Sequence, residues 1–310
     1  MSSISAVDGN ISEQGRNARD RYDSLCASYD RLHAPHNLEL QRFLDCAALR
    51  PGEVIFDLGA GTGRALKAAR QRQQGVVVRA AVDVSSRSLA FCRPEANQTM
   101  TADLSLPANT ERILHRLGKV DVILSLSLLY ELEDSEHNGR DFTEVRIDAL
   151  RSWKRLLKPN GRMVVEVPDP NGGVAAWYVA GASGSHQRHL IGRRSCWERA
   201  AEYASELAAG ASLRVVSRAT PNIPAGSQAY STALKQEVER FTAAQWTSDA
   251  AQVGSSWRRE FWSTRERNPE EAPSDAFYED MAERYYDENF EATYAHASKS
   301  QASCFVTLQV

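Results

Sequence analysis

An acidic residue and three glycines form the most informative pattern in the chain. The apolar run at residues 54–56 ends at Asp57, and Gly59, Gly61 and Gly63 then stand at alternate positions before a helical pattern begins. This order predicts a strand, a tight turn and the start of a helix. Glycines let the backbone turn sharply and let a ligand approach closely, and a helix N-terminus offers free N–H donors. The pattern therefore predicts a loop that binds a nucleotide-like ligand.

Two common nucleotide-binding loops do not fit this spacing. A dinucleotide fingerprint that starts at Gly59 and Gly61 needs a third glycine at position 64, where the chain has Arg64. The chain also lacks the G-x-x-x-x-G-K-[ST] sequence of a phosphate-binding P-loop.

Further carboxylates follow later strands. Residues 76–83 form a second apolar run that ends at Asp83, 20 residues beyond Gly63. Asp103 follows a third, weaker strand, residues 120–126 predict a fourth, and residues 158–167 predict a turn into a fifth. Alternation of strands with helical patterns to about residue 219 predicts a parallel sheet covered on both faces.

These five segments together resemble class I S-adenosylmethionine-dependent methyltransferases, over about residues 12–219 and the last strand. The resemblance implies a doubly wound, Rossmann-like α/β fold. Its seven strands are mostly parallel, and strand seven runs antiparallel between strands five and six. It also implies S-adenosylmethionine as cofactor and S-adenosylhomocysteine as product. The alternative is a doubly wound sheet with the same turn and an unrelated ligand.

The resemblance also assigns contacts to the cofactor. A carboxylate at Asp83 can accept hydrogen bonds from both ribose hydroxyls, Asp103 would meet the adenine amino group, and the fourth strand would lie beneath the methyl group. The predicted cofactor-binding residues are Tyr22, Tyr29, Asp57, Gly59, Ala60, Gly61, Gly63, Asp83, Val84, Asp103, Leu104, Ser125 and Leu126.

The chain divides into five predicted segments. Residues 1–11 are small and polar and are expected to be disordered. Residues 12–50 form a helical cover, residues 51–219 the cofactor-binding core, residues 220–302 a helical insert and residues 303–310 the final strand of the core.

Two tyrosines in the cover segment resemble the aromatic residues that close over the cofactor in many small-molecule methyltransferases. They are Tyr22 and Tyr29, in the sequence Tyr-Asp-x-x-x-Ala-x-Tyr-Asp. The alternative is that they belong to the apolar face of a packed helix, because their spacing is what any such helix shows.

The insert is the most individual feature of the sequence. Residues 220–302 contain twelve aromatic residues, and a structureless loop of this length is uncommon in a compact domain. We therefore expect a helical subdomain that walls a substrate pocket. The alternatives are additional core or the surface of a homodimer. The aromatic residues are Tyr230, Phe241, Trp246, Trp257, Phe261, Trp262, Phe277, Tyr278, Tyr285, Tyr286, Phe290 and Tyr294.

Residues that could handle the methyl acceptor follow the fourth strand and the cover helix. Tyr130 and Glu131 could orient an acceptor or remove its proton, and the alternative is that Tyr130 packs and Glu131 caps a loop. His36 could act as a base, since histidine titrates near neutral pH. Three further candidates, without a visible partner, are His33 after the cover helix and His186 and His189 in a predicted Gly/Ser-rich loop after the fifth strand.

Composition narrows the function. The net charge of −3 provides no basic field for nucleic acid, and no apolar run approaches the length of a membrane span. Five separated cysteines and an N-terminus unlike a signal peptide predict reduced thiols in the cytoplasm. No group of residues has metal-ligand spacing, so no metal is expected.

The sequence therefore predicts a methyltransferase that acts on oxygen or nitrogen of a small, partly apolar molecule of specialised metabolism. Two alternatives remain open. One is a methyltransferase for protein or RNA. The other is an S-adenosylmethionine-binding cyclase or binding module that transfers no methyl group.

Overall fold

The computed structural model describes residues 11–32, 37–132, 141–172, 174–180, 186–190, 194–219, 273–285 and 297–310, and short pieces at 231–232, 234–236, 238–239, 260, 263–264 and 266–267. The chain forms two compact units. The first comprises Met1–Pro168, Ala201–Asn222 and Cys304–Val310, and the second comprises Asp169–Ala200 and Ile223–Ser303.

The first unit contains a mostly parallel sheet. Among the described residues it has seven strands: β1 (Val54–Leu58), β2 (Val77–Asp83), β3 (Gln98–Thr101), β4 (Val120–Ser125), β5 (Leu157–Pro168), β8 (Arg214–Ala219) and β10 (Ser303–Gln309). They are arranged in the order β3-β2-β1-β4-β5-β10-β8, and β10 runs antiparallel to β8. The predicted fold class is confirmed, including the final strand between the fifth and sixth strands of the core.

Helices connect these strands. Those the structure describes along this part of the chain are α1 (Glu13–Leu25), α2 (Tyr29–Leu32), α3 (Asn37–Ala47), α4 (Arg64–Arg72), α5 (Ser86–Cys92), α6 (Pro107–Leu117), α7 (Phe142–Lys154) and α8 (Arg194–Gly210). Local sequence signals determine where two of these helices begin. The Asp141 side chain accepts the N–H of Thr143 at the start of α7, and Pro107 is the first residue of α6. None of the described helices combines the length and the hydropathy that a bilayer crossing requires.

Apolar faces of strands and helices in the first unit meet in a hydrophobic core. Ile55, Val78, Val122 and Val164, on four neighbouring strands, are completely buried together with Phe43 of α3. These strands are covered on both faces, which explains why they read as continuous apolar runs.

Parallel register collects the strand ends at one edge of the sheet. Asp57 lies opposite Ala81 of β2, and Asp83 lies opposite Thr101 of β3. Ser125 lies opposite Val165 of β5, also in a parallel pair. Residues at the carboxyl ends of these strands are thereby neighbours, and ligands of open α/β sheets bind at such an edge.

The second unit contains a three-stranded antiparallel sheet within its described residues. Its strands are β6 (Val174–Ala180), β7 (His186–Leu190) and β9 (Ala297–Gln301), in the order β7-β6-β9, and the unit also contains α9 (Asp275–Tyr285). The predicted core, residues 51–219, includes the segment Asp169–Ala200 that the structure places in this unit.

Two expectations about the second unit need correction. His186 and His189 lie on β7, whereas the sequence predicted a loop, and β9 lies inside the segment predicted as helical. β9 pairs with β6 more than a hundred residues away, so no local pattern reveals it. β7 pairs with the neighbouring β6, but its sequence, His186–Leu190, lacks the alternation of apolar residues that predicts a strand. Of the predicted aromatic insert, α9 carries Phe277 and the buried Tyr278. The aromatic residues at 230, 241, 246, 257, 261, 262, 286, 290 and 294 lie outside the described residues.

Candidate active site

The glycine turn lies at the carboxyl end of β1. Gly61 has φ +53°, in the left-handed region, and a Cβ there would meet no atom within 4 Å. Gly63 has φ +87°, and a Cβ there would lie 2.8 Å from Sγ of Cys92. Gly61 is therefore open toward a ligand, whereas Gly63 allows the turn to pack against α5.

A cavity in the first unit brings most of the predicted cofactor residues together. Those that line it are Tyr22, Tyr29, Gly59, Gly61, Asp83, Val84, Asp103, Leu104 and Leu126. Glu131, predicted as an acceptor-side residue, also lines it. Asp57, Ala60, Gly63, Ser125 and Tyr130 do not line this cavity, and His33 and His36 lie outside the described residues.

Asp83 is held rigidly at the cavity wall. Its Oδ2 accepts the N–H of Gly61 at 2.8 Å, and its Oδ1 accepts the N–H of Ser85 at 2.8 Å. Burial raises the pKa of this carboxyl, and the backbone hydrogen bonds partly oppose that rise. The carboxylate therefore ties the glycine turn to the end of β2, where it can accept ribose hydroxyls.

Two buried polar atoms at the strand ends have no hydrogen-bond partner among the described residues. They are Oδ2 of Asp57, at the end of β1, and Oγ of Ser125, at the end of β4. Burial, followed by the nearby Asp83, raises the pKa of Asp57 to about 8. Buried polar atoms normally have partners, so these two atoms mark an unsatisfied polar spot beneath the cavity rather than in its lining. Asp83 and the open Gly61, which do line the cavity, fit an S-adenosyl cofactor.

Asp103 accepts four hydrogen bonds from the chain itself. Its Oδ2 accepts the N–H of Ser12 at 2.9 Å and the hydroxyl of Ser12 at 2.6 Å. Its Oδ1 accepts the N–H of Ser105 at 3.0 Å and the hydroxyl of Ser105 at 2.6 Å. A carboxylate has about four acceptor positions. The role that the resemblance assigned to Asp103, binding the adenine amino group, therefore requires one of these donors to move.

Residues 12–32, the first part of the predicted cover, are attached to the loops that follow four different strands. Asp30 accepts the hydroxyl of Thr62 after β1, Asp23 accepts the hydroxyl of Ser85 after β2, and Ser12 donates to Asp103 after β3. After β4, Gln14 donates to the carbonyl of Glu131, whose carboxylate contacts Arg21 and accepts the hydroxyl of Tyr22 at 2.8 Å. No short-range pattern could have revealed these partners.

Two phenol rings of the cover face the cavity. The rings of Tyr22 and Tyr29 pack edge to face with centroids 6.0 Å apart. Burial raises the pKa of Tyr29 to about 12, and the negative charges of Asp83, Glu131 and Glu166 add to the rise, while Arg64 opposes it. Burial and Glu131 also raise the pKa of Tyr22. Both phenols therefore stay protonated at neutral pH.

The loop after β4 is held by a residue that the sequence did not single out as functional. Oε2 of Glu166, on β5, accepts the N–H of Ser127 at 3.1 Å and its hydroxyl at 3.0 Å. Its Oε1 accepts the hydroxyl of Tyr130 at 3.2 Å. Glu166 is the charged residue within the apolar run 163–167, and that interruption is the signal that could have identified it.

A seven-stranded sheet of this order, with a glycine turn after β1 and an acidic residue at the end of β2, defines a class I methyltransferase fold. Residues 29–217 match the family described as "Methyltransferase domain", and the chain belongs to this family. The predicted family, the class I S-adenosylmethionine-dependent methyltransferases, is therefore confirmed, and S-adenosylmethionine is the cofactor of that family.

Curated relatives match only part of the chain. The chain is similar to a protein from Vibrio parahaemolyticus serotype O3:K6 (strain RIMD 2210633) called ubiquinone/menaquinone biosynthesis C-methyltransferase UbiE. The two are 31% identical over 152 residues, which cover 46% of this chain and 54% of the relative. A protein of the same name from Vibrio cholerae serotype O1 (strain ATCC 39315 / El Tor Inaba N16961) is 28% identical over the same shares. The chain thus spans about half the length of the curated relatives it matches.

Solved structures to which this chain is similar include the [4+2]-cyclase SpnF. It is 14% identical, with a TM-score of 0.48 and coverage of 97% of this chain and 98% of that chain. Another is a complex between the Haloferax volcanii Trm112 methyltransferase activator and a methyltransferase. It is 17% identical, with a TM-score of 0.45 and coverage of 93% and 96%.

Proposed function

We propose that the protein transfers a methyl group from S-adenosylmethionine to oxygen or nitrogen of a small, partly apolar molecule. The main support for this proposal is that two sets of residues line the same cavity. Gly61 and Asp83 lie at its cofactor side, and Leu128, Glu131 and Leu132 belong to the loop after β4. The cofactor supplies an electrophilic methyl group on a sulfonium. The chain has to align the acceptor, exclude water and take up a proton where the acceptor carries one.

Glu131 is our candidate for the acceptor-side carboxylate. It lines the cavity, and its carboxylate is held by Tyr22 and Arg21, so an acceptor hydroxyl or ammonium would compete with the Tyr22 hydroxyl for it. Tyr130 donates its hydroxyl to Glu166, which suits orientation better than proton removal. His33 and His36 lie outside the described residues, so their roles as possible bases stay predictions.

Carbon methylation is the second candidate. It is favoured by the Vibrio relatives, which carry the name C-methyltransferase and a role in quinone biosynthesis. A reduced quinone ring is also small and partly apolar, so the same cavity serves both candidates. We further propose, as the sequence predicts, that the insert at residues 220–302 walls the acceptor pocket, with a homodimer surface as its alternative. We also propose that the protein acts in the cytoplasm and in specialised metabolism.

A transfer assay tests the proposed function. The protein is incubated with methyl-labelled S-adenosylmethionine and separate panels of phenols, aromatic amines and quinols, and with total RNA and a protein mixture as macromolecular acceptors. We expect label in a phenol or an amine. Label in a quinol ring carbon would favour the second candidate. Label only in RNA or protein, or binding of S-adenosylhomocysteine without transfer to any panel, would overturn the small-molecule proposal.

A further inference from the structure

The loop after β4 contains a residue in an unfavourable backbone conformation. Ser127 has φ +60°, in the left-handed region that side-chain-bearing residues rarely occupy. Its side chain is exposed, so apolar packing does not impose this conformation. Strained positions persist only where surrounding contacts hold them, and they cluster at ligand sites.

Glu166 supplies the contacts that hold Ser127. Both the N–H and the hydroxyl of Ser127 donate to the same oxygen, Oε2 of Glu166, at 3.1 and 3.0 Å. Hydrogen bonds to a charged acceptor are stronger than neutral ones. Glu166 lies on β5, an interior strand of the sheet, so its position is fixed by the fold rather than by the loop.

The conformation of Ser127 carries through to the cofactor turn. Leu128 follows directly, and a Cβ built on Gly59 would lie 3.0 Å from its Cβ and 3.2 Å from its Cδ1. Ser127, Leu128 and Gly59 all line the same cavity. A change in the backbone of Ser127 would therefore move Leu128 against the glycine turn or away from it.

From these contacts we infer that Glu166 is a positioning residue of the cofactor site. It holds Ser127 in the left-handed conformation and thereby presses Leu128 against Gly59. Glu166 does not line the cavity, so it acts through Ser127 rather than on the ligand. Its bond to Tyr130 steadies the same loop at a second point.

Calorimetric titration with S-adenosylhomocysteine tests this inference without any acceptor. Glu166→Ala should weaken binding about tenfold, because Ser127 then relaxes out of the left-handed region. Glu166→Gln should stay within about threefold of wild type, since its amide oxygen still accepts from Ser127. The double variant Glu166→Ala/Ser127→Gly should regain most of the loss, because glycine adopts positive φ without support.

A second pair of variants isolates the backbone conformation and keeps Glu166 in place. Ser127→Ala and Ser127→Gly both lack the hydroxyl, but only alanine resists positive φ. We expect Ser127→Ala to bind S-adenosylhomocysteine more weakly than Ser127→Gly. This pair also decides the question if Glu166→Ala fails to fold.

The inference is overturned if Ser127→Ala and Ser127→Gly bind equally. It is also overturned if glycine at position 127 leaves the loss in Glu166→Ala unrepaired. Tyr130→Phe removes only the second hydrogen bond to Glu166 and leaves Ser127 held, so it should lose less affinity than Glu166→Ala. A loss equal to that of Glu166→Ala would assign the effect to Tyr130 instead.

Discussion

The hydroxyl oxygen of Ser12 lies 2.6 Å from Oδ2 of Asp103 and also accepts the N–H of Gly15 at 2.9 Å. One side chain thus caps helix α1 and occupies a carboxylate at the cofactor cavity. The approach is close enough that a Cβ on Gly15 would lie 2.3 Å from the same Oδ2. The start of α1 is therefore fitted to Asp103.

Ser12→Ala should have two separable effects. Loss of the cap should destabilise the protein by about 1 kcal/mol. Loss of the hydroxyl donor should free one acceptor position on Asp103 for an adenine amino group. We expect the preference for S-adenosylhomocysteine over S-inosylhomocysteine, which lacks that amino group, to widen by roughly 1 kcal/mol. Equal changes in the affinities of both ligands, measured by calorimetry, would show that Asp103 serves only the cover.

Asp83→Ala should weaken binding of S-adenosylhomocysteine by roughly 1.5–3 kcal/mol, the range for hydrogen bonds to a charged group. Asp121→Ala is the matched control. Asp121 also accepts a backbone N–H, that of Val54 at 2.9 Å, and pairs with Lys158, but it does not line the cavity. If both variants lose affinity equally in calorimetry, Asp83 supports the sheet and not the ribose.

Gly61→Ala and Gly63→Ala should differ in what they damage. Both positions have positive φ, so each alanine costs about 1–2 kcal/mol of strain. At position 63 the new Cβ also overlaps Sγ of Cys92, whereas at position 61 it meets no atom. We expect the larger fall in unfolding temperature for Gly63→Ala and the larger loss of S-adenosylhomocysteine affinity, per folded molecule, for Gly61→Ala. The reverse order would mean that the turn approaches its ligand at Gly63.

Asp57 should make stability depend on pH. Its pKa is about 8 in the folded protein and near 4 when unfolded, so the folded state holds a proton that the unfolded state loses. Its stabilising contribution is present below about pH 4 and is lost progressively as the pH rises to about 8. Denaturant unfolding of Asp57→Asn between pH 5 and pH 8 should therefore show a smaller decline than wild type.

Asp83 also has a raised pKa and contributes to the same decline, so Asp83→Asn provides the comparison. If Asp57→Asn keeps the full slope while Asp83→Asn removes it, the proton resides on Asp83.

The predictable parts of the site are those that depend on residues adjacent in the sequence. Gly59, Gly61 and Asp83 could be predicted because a turn, its glycines and the end of a strand are specified by residues close together in the sequence. The parts that were not predictable depend on distant partners: Ser12 meets Asp103 across 91 positions, and Glu166 meets Ser127 across 39. For the same reason β9 escaped prediction, since its partner β6 lies more than a hundred residues away.

The attachment of residues 12–32 to four successive loops has a practical consequence for truncation. A truncated protein that begins at residue 33 would keep every strand of the seven-stranded sheet. Its circular dichroism spectrum would therefore still indicate a folded sheet. It would nevertheless lose one wall of the cavity, including Tyr22 and Tyr29, and the donors that occupy Asp103 and Glu131. The N-terminal segment is thus a component of the binding site and not a dispensable extension.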